Sequence, residues 1–163
     1  MMDDNKILEQ SHPQLASLVG KWQGMTKTWF EPDKLADESP WQGEFRLVLG
    51  GRFLFYTYHG SMQGKPLEGM AMLGYNPQRQ RYEMAWVDTF HNGSAIMFMH
   101  DSEKDKPFNV LGSFPTGPDS PDWGWRTEIT FQNNGELVIT HYGITPESLE
   151  WKGVETIYQR ISE

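Results

Sequence analysis

From Gly20 onward, short strand-forming runs recur about every ten to twelve residues, each closed by Gly, Pro, Asn or Asp. No helical segment separates them, so the parallel α/β architectures, which need a helical crossover between strands, are excluded. The runs fall at 21–29, 42–49, 52–59, 67–75, 81–88, 94–100, 108–114, 123–132, 136–142 and 150–160. Gly50-Gly51, Asn76-Pro77, His91-Asn92-Gly93 and Asn133-Asn134-Gly135 supply the turns. The expected fold is all-β, an up-and-down antiparallel barrel of about ten strands, preferred to a sandwich. A short N-terminal helix over 13–19, opened by Pro13, is expected to plug one end. The polar segments 31–40 and 115–122 read as loops and as the candidate rim.

A chain of 163 residues fits one domain, 1–163, with 1–12 expected to be flexible. It contains no cysteine, which removes disulfides, thiolate chemistry and Cys-ligated metals and suits a reducing cytoplasm. The first residues are acidic and lack the apolar core of a secretory signal, so a cytoplasmic location is expected. No run reaches the roughly 18 apolar residues of a membrane helix. The net charge is −8, without a basic patch, which argues against nucleic acid as a partner.

Strand periodicity assigns the candidate site. Tyr82, Met84, Trp86 and Asp88 share one face, Phe53, Phe55, Thr57 and His59 another, and Leu137, Ile139 and His141 a third. If these faces look inward, Asp88, His59 and His141 converge as polar anchors able to act as acid and base. The competing reading leaves all three wet at strand ends, where polar residues are common. Trp22, Phe45, Phe55, Tyr82, Trp86, Met97 and Trp125 are the expected pocket walls. Arg126 is read either as an anion clamp or as a surface cation paired with Glu128 or a cross-strand acid, the second being favoured. His91 and His100 lie nine apart with no third ligand and give no metal motif. The run Ala95-Ile96-Met97-Phe98-Met99 is apolar on both faces, which predicts a homodimer through the outer wall.

The segment Gly20-Lys21-Trp22-Gln23-Gly24 resembles the Gly-x-Trp-x-Gly opening of calycin-like barrels, the group of lipocalins, fatty-acid-binding proteins and nitrobindins. Leu49-Gly50-Gly51-Arg52-Phe53-Leu54, Leu73-Gly74-Tyr75-Asn76 and Trp86-Val87-Asp88 are similar to the bacterial domain-of-unknown-function family 1579, over nearly the whole of 15–160. The lipocalin likeness implies that Arg160 covers the face of Trp22, a cation–π contact of about 0.5–2 kcal/mol closing the barrel base. The fatty-acid-binding likeness loosely implies Tyr158 and Arg160 as a carboxylate clamp, in reversed order. The nitrobindin likeness would place the haem-ligating His at Gly153, which has no ligand atom, so no cofactor is expected.

Three functions follow as expectations. The first is a barrel that binds a small apolar or amphipathic molecule. The second is an enzyme that uses Asp88, His59 or His141 for acid–base chemistry. The third is a packed barrel that serves as an interaction module.

Overall fold

The computed structural model describes residues 12–103 and 107–162; the N-terminal segment expected to be flexible lies almost wholly outside the described residues. Among the described residues one short helix, α1 (Pro13–Ala16), precedes ten strands. They are β1 (Gly20–Glu31), β2 (Lys34–Val48), β3 (Phe53–Met62), β4 (Lys65–Asn76), β5 (Arg81–Asp88), β6 (Met97–Glu103), β7 (Phe108–Phe114), β8 (Trp123–Phe131), β9 (Leu137–Ile144) and β10 (Glu150–Ser162). Every neighbouring pair is antiparallel, and β10 pairs back onto β1 to close the barrel. Closure leaves no unpaired sheet edge.

The expected strand count and topology are therefore found, with boundaries shifted. The largest correction concerns 31–40, expected as a loop. Both strands of the first hairpin run into it, pairing Lys27 with Glu38 and Thr28 with Asp37 up to a tight turn before Lys34. Pro40 is accommodated opposite Met25, and register shifts follow Thr28 and Trp29. Backbone pairing here overrides a polar composition, which signals exposure rather than irregularity. The second expected loop, 115–122, is irregular as read. The run expected to begin at Ser94 pairs only from Met97, because 89–96 forms a loop.

The connectivity sorts the hairpins to two ends. The turns after β1, β3, β5, β7 and β9 lie at one end; α1 and the turns after β2, β4 and β8 lie at the other. At the α1 end, the base, Leu15 and Leu18 are buried in the core with Trp22, Phe45, Leu73, Tyr82, Phe108 and Leu137. The indole of Trp22 donates to Leu18 O at 2.9 Å. Arg160 stands 4.2 Å from the Trp22 ring and donates to Ser17 O at 2.9 Å and to Val19 O. Its guanidinium thus locks the helix, the first strand and the last strand together, the role the resemblance implied. The helix is shorter than expected: it ends at Ala16, and 17–19 lead as a turn into β1.

Candidate functional site

The opposite end is built from different chemistry. Strand alternation aims Tyr58, Trp86, Asp88, Trp125, Thr127, Ile139 and His141 inward, in register across β3, β5, β8 and β9. Of these, Tyr58, Trp86, Thr127, Ile139 and His141 line an enclosed cavity of about 20 Å³, together with Trp41, Tyr56 and His91; Asp88 and Trp125 contact that lining. That volume is room for about one water.

Asp88 is the centre of the arrangement. Its side chain is fully removed from solvent. One carboxylate oxygen accepts from the backbone N–H of Phe90 at 3.0 Å and of His91 at 2.6 Å. The other accepts from the Tyr58 hydroxyl at 3.0 Å and from His91 Nδ1. Tyr58 in turn accepts the indole N–H of Trp86 at 2.8 Å. Burial would raise the Asp88 pKa, but the hydrogen bond and charge of His91 outweigh it and hold the carboxyl below its ordinary value. The Tyr58 hydroxyl is pushed well above the usual tyrosine range, by burial first and by the Asp88 charge second. Position 69 must stay small for this cluster to form. A Cβ built on Gly69 would lie 2.3 Å from the Tyr58 hydroxyl and 2.7 Å from the Asp88 Cβ.

His141 stands across the cavity, its ring nearly parallel to those of Trp86 and Trp125 at 5.4 and 5.6 Å. Its Nδ1 lies 2.7 Å from the Thr127 hydroxyl, which donates to the Met99 sulfur at 3.5 Å. With that hydrogen committed, Thr127 accepts from Nδ1–H, and Nε2 keeps its lone pair. Burial, reinforced by the charge of His91, depresses the His141 pKa to about 3. The imidazole is therefore neutral at pH 7. Neither His91 Nε2 nor His141 Nε2 has a hydrogen-bond partner among the described residues. Among those residues no group of three or more His, Asp or Glu is placed to hold a metal ion.

The structure thus joins two of the three expected anchors, Asp88 and His141, and displaces the third. His59 and Phe55 are corrections: β3 turns Tyr56 and Tyr58 inward, leaving His59 exposed and Phe55 outside beneath Arg46 at 5.2 Å. Both faces of that strand are rich in aromatics, so periodicity gave no direction. Arg126 is also on the outside, paired with Glu128 and Glu150 and lying 4.1 Å from the Tyr142 ring. It is the surface cation of the favoured reading, and the ligand-binding assignment is withdrawn. Trp22, Phe45 and Tyr82 face inward but belong to the packed base. Tyr158 is buried lower in the barrel, its hydroxyl 2.7 Å from that of Tyr56. Met97 is inside, packed over Gly112. The indole of Trp125 covers Gly153, where a Cβ would lie 3.3 Å from the ring.

His91 is the residue that sequence reasoning missed. The signal was local: a carboxylate at a strand end, followed by a turn, caps the next two or three N–H groups. Asp88 does so, and the turn delivers the ring of His91 back onto the same carboxylate.

Two aromatic side chains meet over this end. Phe30 at the tip of β1 stacks on Phe90 of the 89–96 loop, centroids 6.2 Å apart, and Phe90 packs edge-on against His91 at 4.9 Å. β1 and β5 lie on opposite sides of the barrel, so the contact spans the mouth.

The family model described as "Protein of unknown function (DUF1579)" matches residues 8–160. The chain belongs to that family. No curated protein matches it. Among solved structures it is similar to Rv2717c from M. tuberculosis, with 18% identity, 91% of this chain and 97% of that chain covered, and a TM-score of 0.56. The likeness between these family 1579 and Rv2717c chains is one of fold.

Proposed function

We propose that this member of family 1579 is a small-molecule-binding barrel whose site is the polar, aromatic cluster beneath the mouth. The observation that carries the reading is the buried cluster of Asp88, His91 and His141 at the cavity end of the barrel. Burying a carboxylate and an imidazole costs free energy that an apolar packing would avoid. The aromatic walls Trp41, Tyr58 and Trp86 suit an apolar or amphipathic body, in keeping with the calycin likeness. Haem is no part of this reading; the indole over Gly153 supports leaving it out.

A thermal-shift screen tests the proposal. A ligand at a hundredfold excess over its Kd stabilises the fold by about 2.7 kcal/mol. A rise in Tm that is lost on His141→Gln supports binding at this site. A uniformly flat screen favours the packed interaction module instead, a second reading that the cavity of about 20 Å³ supports. Acid–base turnover would use His91 with Asp88 rather than His59. Self-association belongs to the same proposal: Ile96, Phe98 and Leu111 are exposed on the outer wall, and sedimentation at micromolar concentration reads it directly. The cysteine-free sequence supports a cytoplasmic setting, and among the described residues no helix is long and apolar enough to cross a membrane.

A further inference from the structure

We propose that the ligand is a small amphipathic cation, an amine on an aromatic or apolar body, with its ammonium received at the Asp88–His91 end of the cavity. The inference rests on the binding reading above and adds a charge to it.

The first support is where the positive charges are. None of the residues lining the cavity is Lys or Arg. Arg160 is committed to Trp22, Ser17 and Val19 at the base. Arg126 is held outside by Glu128 and Glu150, Arg81 by Glu83 and Asp101, and Arg46 lies over Phe55 on the outer wall. A carboxylate ligand would enter a low-dielectric space with no fixed cation to meet it. The Arg and Tyr clamp suggested by the fatty-acid-binding likeness is not available, because Arg160 and Tyr158 are both engaged elsewhere.

The second support is the sign of what is there. Asp88 is hydrogen-bonded to the lining residues Tyr58 and His91, buried and kept ionised by its four donors. A carboxylate only accepts, so His91 Nδ1 donates to it and the ring links Asp88 to the cavity lining. An ammonium at this end is attracted by the buried Asp88 charge. His141 offers the acceptor, its Nε2, neutral at pH 7. The indole faces of Trp86 and Trp125, 5.2 and 5.9 Å from the His91 ring, add attraction for a cation.

The third support is access. The loop carrying His91 is held at its outer side by Phe30 against Phe90, both about half exposed. A single-ring amine is larger than the cavity of about 20 Å³, so binding requires this loop to yield beside His141.

Benzylamine, benzyl alcohol and benzoate share a shape and differ in charge. Their Kd values are measured by NMR titration at pH 8 on the full chain and on Asp88→Asn. The expected ranking is benzylamine tightest, about tenfold ahead of benzyl alcohol, with benzoate weakest. In Asp88→Asn the amine advantage collapses while the alcohol binds as before. If Asp88→Asn does not fold, the ranking on the unaltered chain decides alone. Benzoate or the alcohol equalling the amine overturns the charge assignment and leaves the pocket standing, as does an amine advantage that survives in Asp88→Asn. Failure of all three to bind overturns the binding reading itself.

Discussion

The two ends of this barrel are closed by opposite means. At the base, α1 drives Leu15 and Leu18 into an apolar core, and the one cation there, Arg160, is spent on backbone carbonyls and the face of Trp22. The Arg160 contacts there tie the first and last strands together. At the mouth, the interior carries a carboxylate and two imidazoles, and the cover is a pair of half-exposed phenylalanines rather than a packed helix. The difference sets the apolar packing under α1 at the base against the Asp88–His91–His141 cluster at the mouth.

That contrast can be broken by substitution. Trp22→Ala removes the largest fully buried side chain at the base and should destabilise the fold by about 3–5 kcal/mol, read by denaturant unfolding. Loss below about 1 kcal/mol would mean that the base is not the anchor. Asp88→Ala strips the Tyr58 hydroxyl and two backbone N–H groups of their acceptor and should cost about 2–3 kcal/mol. His141 sharpens the comparison through pH. Its pKa is about 3 when folded, against about 6.5 when unfolded. Between those values the unfolded chain holds the extra proton, so stability falls as pH drops below 6.5 and is regained as pH rises. By pH 5 the loss approaches about 2 kcal/mol, and His141→Gln should flatten that slope. The smallest effect is expected for Phe30→Ala, below about 1 kcal/mol in stability. It should nevertheless speed amide exchange across 89–96; unchanged exchange would show that the aromatic pair does not hold the mouth.

The barrel was legible because hairpin spacing and turn residues are local signals. Asn133-Asn134-Gly135 and Gly50-Gly51 announce their turns without reference to anything distant. The base was legible for a related reason: Trp22 and Arg160 sit in motifs whose likeness carried their roles. The site was only half legible. Asp88 and His141 lie on strands with clear alternation, whereas β3 has aromatic residues on both faces, so Phe55 and His59 were assigned to the wrong side. His91 sits in a turn, where periodicity says nothing, and only the hydrogen bonding of Asp88 reveals it. The 31–40 segment shows that polar composition reports exposure, and that strand pairing with a neighbour decides conformation.

The most direct test of a mouth-end site is to follow all the tryptophan indole N–H resonances while benzylamine is added. The account predicts that Trp86 and Trp125 shift in a saturable way and that Trp22, at the base, does not move. Saturable shifts centred on Trp22, or none at any indole, would contradict it.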